Sequence, residues 1–392
     1  MTQYDVVVIG AGIQGAACAQ ALTAAGYRCQ VLERHALPAQ ETSSRSSKLI
    51  HGGLRYLESG QFSLVFECLQ ERSILLLNAS KLVKDVPFYI PVYKQSLRSA
   101  WKIYLGLWLY RLLGGGPFNR LPKSEWSALK GLKSEDLVAV FQYHDAQTDD
   151  VALTHAVLYS AKQLGASLCF NAPLISAQWH NNAYHIKYQQ DLTTHECQAT
   201  ILINATGPWV NHVLDCVTPK PPQLAIDWVG GTHIVLPSQS LPGIFYVEAR
   251  QDKRAVFIMP WQGKTLVGTT EVNYQSIPTN ITATEAEVDY LLSVYNNYFD
   301  TTLSRSDVET AFAGLRVLPR NSGRYFNRPR DTIIHPDDPR SPHCLSLYGG
   351  KLTASRATAE HVMKQVKRVL GGRTKVADTR EIKLIPYRFT ES

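Results

Sequence analysis

Gly10-Ala-Gly12-Ile-Gln-Gly15 is a full G-x-G-x-x-G, and Glu33 stands eighteen residues beyond its last glycine. This set can hold a dinucleotide. Gly10 permits a tight turn, Gly12 lets the backbone approach a pyrophosphate, and Gly15 lets a helix pack closely on a strand. The helix N-terminus then offers free N–H groups and partial positive charge to the phosphates. Glu33 can accept hydrogen bonds from both hydroxyls of a ribose, and its charge disfavours a 2′-phosphate.

The elements needed to position these residues are legible around them. Tyr4–Ile9 is a short apolar run, suited to a strand buried on both faces. Ala16–Ala25 is rich in Ala and Leu and reads as a helix ended by Gly26. Cys29–Leu32 reads as a second strand with Glu33 at its end. This unit alone does not separate NAD from FAD. Two later segments bear on the choice. Ala199–Gly207 is a strand ending in Ala-Thr-Gly, a turn common beside the cofactor in two-domain FAD enzymes. Cys344–Thr353 is a strand and a double glycine, followed by a helix expected from about Thr353 to Val369. The N-terminus of that helix could point at a flavin ring and favour negative charge there. A second G-x-G-x-x-G, as a separate nicotinamide site would use, does not occur.

At this point the chain resembles the FAD-dependent glycerol-3-phosphate dehydrogenases of the membrane-associated, quinone-linked type. The resemblance rests on Gly10–Gly15, on Thr42-Ser-Ser-Arg-Ser-Ser-Lys-Leu-Ile-His-Gly-Gly-Leu-Arg-Tyr-Leu-Glu58 and on Ala205-Thr-Gly-Pro-Trp-Val210. It continues through Gly231-Thr-His-Ile-Val235, Gly268-Thr-Thr270, Gly314-Leu-Arg316 and Gly349-Gly-Lys-Leu-Thr353. Four departures stand out. The sequence stops at Ser392, where such proteins usually continue into a helical domain. Arg45 replaces a small residue. Asp149-Asp150-Val-Ala152-Leu153 and Gly314-Leu-Arg316-Val-Leu-Pro319 each differ from the usual pattern. None of these changes is expected to touch the flavin site.

The resemblance implies oxidation of sn-glycerol 3-phosphate to dihydroxyacetone phosphate, with FAD as cofactor and a quinone as acceptor. Such a reaction needs a base for the hydroxyl proton, an acceptor for the hydride and cations for the phosphate. His233 is the expected base, since a histidine near its ordinary pKa can take a proton. His51 is the rival. Arg316 and Lys351 join His233 as catalytic candidates. Arg55, Tyr56, Thr269, Arg316 and Arg330 are the substrate candidates, because several arginine forks must converge to hold a dianion. Thr270 is an equal neighbour of Thr269, and Arg320 and Arg324 read as solvated charges. The cofactor set comprises Gly10, Gly12, Gly15, Glu33, Ser43, Ser47, Lys48, Leu49, Ala205, Thr206, Gly207, Gly350, Lys351, Leu352 and Thr353. No metal site is expected. The alternatives are an amine or 2-hydroxy-acid oxidase on the same architecture and a non-catalytic flavin-binding protein.

The expected fold class is α/β: an FAD-binding Rossmann-type domain with an inserted antiparallel-sheet substrate domain, in a D-amino-acid-oxidase-like arrangement. The FAD domain should comprise 1–75, 148–218 and 312–372. The substrate and membrane-associated domain should comprise 76–147 and 219–311, and 373–392 a short tail. Within these, 174–179, 184–188 and 199–203 suggest an antiparallel meander. Four further strands are expected between 232 and 269, and a helix capped by Thr284 after them. In Arg98–Leu113, Trp101, Tyr104, Leu105, Trp108 and Leu112 fall on one helical face, and Lys94, Arg98 and Lys102 on another. That pattern suits an interfacial helix; a buried helix is the competing reading.

Composition closes off other classes. The net charge is +7, which fits an anionic substrate or membrane surface and falls short of a nucleic-acid footprint. The seven cysteines are scattered without a C-x-x-C, so neither a disulfide framework nor zinc is indicated. With no signal-like N-terminus and no apolar run long enough to span, the expected location is the cytoplasm, peripheral on the inner membrane face. A homodimer is an open expectation.

Overall fold

The computed structural model describes residues 1–277, 281–320 and 332–391. The chain opens with β1 (Thr2–Ile9), α1 (Ile13–Ala24), β2 (Cys29–Leu32), β3 (Leu49–Ile50) and α2 (Phe62–Asn78). It continues with β4 (Val83–Tyr93), α3 (Ala100–Tyr110), β5 (Phe118–Arg120), β6 (Leu137–Thr148) and α4 (Asp150–Gln163). Next are β7 (Ser167–Cys169), β8 (Leu174–His180), β9 (Ala183–Gln190), β10 (Thr193–Asn204), α5 (Val210–Leu214) and β11 (Val217–Thr218). Then come β12 (Ile226–Leu236), β13 (Ile244–Glu248), β14 (Ala255–Trp261), β15 (Lys264–Gly268), β16 (Val272–Tyr274) and α6 (Glu285–Tyr298). Last are β17 (Thr310–Pro319), β18 (Ile333–Pro336), β19 (Cys344–Tyr348) and α7 (Ser355–Leu370).

The strands form two sheets. In the first, β19, β10, β1, β2 and β7 run parallel. Val6, Val7 and Val8 are fully buried, as a strand covered on both faces requires. The small residues of α1 let it pack against both α4 and α7. The N-terminal half of β10 pairs antiparallel with β9, and β9 with β8. This is the expected meander, growing out of the same strand that lies beside β1. The second sheet runs β16-β12-β15-β14-β13-β4-β6-β3, with β17 on β12 and β5 on β6. Its mostly antiparallel pairing brings distant segments into register. Val229 faces Arg316, Gly231 faces Gly314, and His233 lies between Phe312 and Gly268. Helix α6 covers this sheet, started by the expected cap: Thr284 and Glu287 form a reciprocal capping box.

Two boundaries differ from expectation. A boundary at 312 falls inside β17, which pairs along its length with β12, so 312–319 belongs to the second sheet. The cause is non-local pairing, which neighbouring sequence does not reveal. Leu49 and Ile50, expected in the first domain, pair with β6 of the second sheet. The tail is also more than an appendage. Val376 donates to Ala24 O on α1, and Leu384 to Asn78 O on α2, both at 2.8 Å. Tyr387 stacks on Tyr159 of α4 at 3.8 Å, and Phe389 N donates to His155 Nδ1 at 3.0 Å.

Helix α3 buries Ile103, Leu107 and Tyr110. Its opposite face leaves Trp101 64%, Tyr104 54% and Trp108 48% exposed. Arg98 does not contribute a free positive charge beside that face. It is ion-paired with Glu58 and Glu248, and Lys94 with Asp136. Among the described residues no helix is long and apolar enough to cross a membrane.

Candidate active site

A cavity of about 560 Å³ runs along the seam between the two sheets. At one end lies the glycine loop. A Cβ on Gly15 would come within 1.9 Å of Gly10 O, so only glycine lets α1 start this close to β1. Glu33 is buried, and its carboxylate accepts from Ala11 N at 2.6 Å and His35 N at 3.0 Å. Each oxygen retains acceptor capacity for a ribose hydroxyl. Arg34 places its guanidinium 3.9 Å from the Trp209 ring and pairs with Glu41. Arg34 follows β2 and Trp209 follows β10, so this contact bridges over the end of β1, which lies between them.

The middle of the cavity is walled by the 42–57 segment and the Gly349–Thr353 turn. Ser43 Oγ accepts from Ile13 N at 2.9 Å, in the first turn of α1. Gly52 N donates to the Tyr110 hydroxyl at 2.9 Å, which donates to Asp145 at 2.6 Å. His51 N donates to Thr353 Oγ1 at 3.2 Å. Gly350 packs on Gln14, whose Nε2 donates to Lys351 O at 3.4 Å. The Oε1 of Gln14 is buried without a partner among the described residues, although the side chain borders the cavity. An unmet acceptor beside a glycine-only cradle fits a cofactor that supplies a donor. Ser43, Ser47, Leu49, Ala205, Thr206, Gly207, Gly350, Lys351, Leu352 and Thr353 all border the cavity.

Lys48 is the exception in the cofactor set. Its φ is +60°, and its ammonium is buried behind the loop, bonded to Asp150 at 2.7 Å and Ser44 O at 2.6 Å. A buried carboxylate needs such a partner, and Asp150 claims it.

At the far end His233 is buried, stacked on Phe312 at 5.1 Å, with Nε2 3.0 Å from Ser47 Oγ. Its Nδ1 is sealed and has no partner among the described residues. Its pKa is pushed down to about 3, first by burial and then by the positive charges of Lys48 and Arg316. The histidine is therefore neutral at physiological pH but far from its ordinary basicity, a correction to the near-neutral value expected from residue type. Gly231 makes room beside it, since a Cβ there would meet Thr269 Oγ1 at 2.6 Å.

Arg55, Arg316, Lys351, Tyr56 and Thr269 share this end. Lys351 does not point to solvent: its ammonium sits 3.8 Å from the Tyr56 ring centre. Arg316 is shifted down by burial, opposed by Glu271, whose carboxylate lies 3.5 Å away. Thr270 is tied to Glu287 at 2.6 Å and to Thr232 N at 2.8 Å, which leaves Thr269 as the less committed of the two. Arg320 is not simply solvated, since it pairs with Asp227 at 3.2 Å. Arg324 and Arg330 lie outside the described residues.

Arg34, Glu41, Arg45, Arg254 and Glu271 also border the cavity, and none of them stands among the expected site residues. Arg254 reaches Glu271 at 3.7 Å. Glu271 stands between Arg254 and Arg316, two positions after Thr269, which was the available signal. Arg45 borders the cavity, so the departures near 45 and 316 do reach the site. Arg254 sits in a charged turn, Asp252-Lys253-Arg254, that reads as solvent-facing.

A parallel sheet with a glycine-loop cradle, joined to an antiparallel sheet across one long cavity, defines a flavin-dependent oxidoreductase. The chain belongs to the family described as FAD dependent oxidoreductase, whose model matches residues 5–365. Within it, the chain is 36% identical to the aerobic glycerol-3-phosphate dehydrogenase of Escherichia coli (strain K12), over 93% of this chain and 74% of that one. It is 35% identical to the D-erythritol 1-phosphate dehydrogenase of Brucella abortus (strain 2308), with the same coverage. The FAD-complexed crystal structure of the glycerol-3-phosphate dehydrogenase from Bacillus halodurans matches with a TM-score of 0.78 and 26% identity, covering 97% of this chain and 68% of that one. The cofactor is FAD.

Proposed function

We propose that the protein oxidises sn-glycerol 3-phosphate to dihydroxyacetone phosphate and passes the electrons to a quinone. The carrying observation is that Arg55 and Arg254 lie close enough to Arg316 to act on its charge, Arg316 acts on His233, and Lys351 sits on the Tyr56 ring beside Arg55, all bordering the FAD cavity. A carboxylate substrate needs one guanidinium fork, whereas a phosphate dianion is served by several cations. The same set disfavours an amine or 2-hydroxy-acid substrate.

FAD, when bound, supplies hydride acceptance. The chain supplies the rest. Arg55 and Arg316 hold the phosphate, with Lys351 and Arg254 completing the positive field, and Tyr56 and Thr269 bind substrate oxygens. Because Nδ1 of His233 is sealed, the hydroxyl proton goes to Nε2, directly or through the Ser47 hydroxyl. A phosphate beside Arg316 offsets one of the charges that depress His233, so substrate raises the basicity of its own base.

The likeness to a D-erythritol 1-phosphate dehydrogenase supports a second reading, a longer phosphorylated polyol. Anaerobic bleaching of the bound flavin separates them. Glycerol 3-phosphate should bleach it faster than erythritol 1-phosphate, and glycine should leave it yellow. Bleaching by glycine alone would overturn the assignment. Peripheral membrane contact through the exposed aromatic face of α3 fits a lipid-soluble acceptor.

A further inference from the structure

The segment Thr42–Ser47 is held from several sides. Thr42 Oγ1 donates to Leu315 O on β17, and Ser43 accepts from Ile13 N on α1. Ser46 donates through Oγ and N to Asp150 Oδ2 at 2.7 and 3.0 Å. Ser47 meets His233 at 3.0 Å. Arg45 lies midway along this fixed stretch. Its backbone is pressed on β17, where a Cβ on Gly314 would meet Arg45 Cβ and Arg45 O at 2.8 Å each. One guanidinium nitrogen donates to Ala313 O at 3.0 Å. The side chain is thereby held against β17, and the residue borders the cavity.

We propose that the Arg45 guanidinium binds a phosphoryl oxygen inside this cavity, belonging either to the cofactor's pyrophosphate or to the substrate's phosphate. A guanidinium carries five N–H donors in one plane, so the bond to Ala313 leaves a fork for an anion. The acidic side chains that border the cavity are otherwise engaged. Glu33 is bonded to backbone N–H groups, Glu41 to Arg34 and His35, and Glu271 lies between Arg254 and Arg316. Among the described residues no carboxylate lies within ion-pair distance of Arg45. A fixed guanidinium beside a cavity, with no counter-ion among the described residues, is matched by an anionic ligand. Its place in the chain suits both sources, since Ser43 two residues earlier touches the glycine-loop helix and Ser47 two residues later touches His233. The pyrophosphate source rests on FAD binding alone. The substrate source rests on the function proposed above.

The test uses Arg45→Met, which keeps the stem and removes the charge, and Arg45→Lys, which keeps the charge and removes the fork. FAD and ADP affinities are measured on the apoprotein. Glycerol 3-phosphate affinity is measured on the oxidised holoprotein by perturbation of the flavin spectrum, which needs no turnover. Arg45→Met should weaken one of these ligands roughly 10- to 100-fold, the worth of one charge-assisted contact, and Arg45→Lys should recover part of it. A joint loss for FAD and ADP with glycerol 3-phosphate unchanged identifies the pyrophosphate. A loss for glycerol 3-phosphate alone identifies the substrate. If all three affinities stay within about twofold of wild type at equal melting temperature, the proposal is wrong. Should Arg45→Met fail to fold, Arg45→Lys decides, and unchanged affinities with unchanged salt dependence overturn the contact. If glycerol 3-phosphate does not perturb the wild-type spectrum, the substrate assignment fails, and the FAD and ADP titrations still decide the role of Arg45.

Discussion

His233 shows how far residue type and residue environment can differ. Its position beside Gly231 was legible, because Gly-x-His sits in a strand whose alternation puts both residues on one face. Its basicity was not, because it is set first by burial and then by Lys48 and Arg316, all of which depend on distant parts of the chain. With the proton-accepting role proposed here, His233→Ala should slow anaerobic flavin reduction by roughly 100-fold or more, measured by stopped flow. An unchanged rate would remove the histidine from the chemistry. The depressed pKa also has a sign for stability. The folded state keeps His233 neutral down to about pH 3, whereas an unfolded chain protonates near its ordinary 6.5. The unfolded state therefore binds more protons between those values, and this contribution to stability is lost as pH falls. The melting temperatures of wild type and His233→Ala should accordingly draw together between pH 7 and pH 4. Gly15 gives a simpler expectation. Gly15→Ala places a methyl group 1.9 Å from Gly10 O, so the protein should purify colourless. Arg45, Arg254 and Glu271 are less legible: Arg45 stands out only as a departure within its motif, Glu271 only by its nearness to Thr269, and Arg254 sits in a turn that reads as solvent-facing, so the fold gives all three their place in the cavity.

Among the elements, those set by local chemistry were read well. The glycine loop with its flanking strand and helix, the meander and the capped α6 each carry their own signal. The pairing of β17 was not legible because its partner, β12, lies far back in the sequence. The place of the Lys48 side chain was not legible for a related reason, since its partner Asp150 lies on a distant helix. Helix α3 combines both cases. Its aromatic face is exposed, which favours an interfacial role, yet Arg98 is already neutralised by two glutamates. Apolar burial should therefore dominate docking over charge. Pelleting with lipid vesicles should be nearly insensitive to salt and lost in a Trp101→Ala/Trp108→Ala double variant. Binding only to anionic vesicles at low salt would contradict this.

At the scale of the molecule, the cavity follows the seam between the two sheets, whose cores meet where Ile50, Val83 and Ala146 of the second sheet join the cluster around β1 and α1. The tail fastens the helices outside the first sheet, touching α1, α2 and α4. Removing residues 373–392 should lower the melting temperature by roughly 5 °C or more, from lost burial of Tyr387 and Phe389. FAD affinity should be unaffected, and an equilibrium titration on the truncated protein checks it. The contact between Arg34 and Trp209 bears on a different quantity, the lifetime of the complex. As a strap across the end of β1, bordering the Glu33 end of the cavity, it should slow exchange of the adenosine in both directions while changing the equilibrium little. Wild-type protein should hold its colour through prolonged dialysis. Arg34→Ala should bleach sooner and, given fresh FAD, recolour faster.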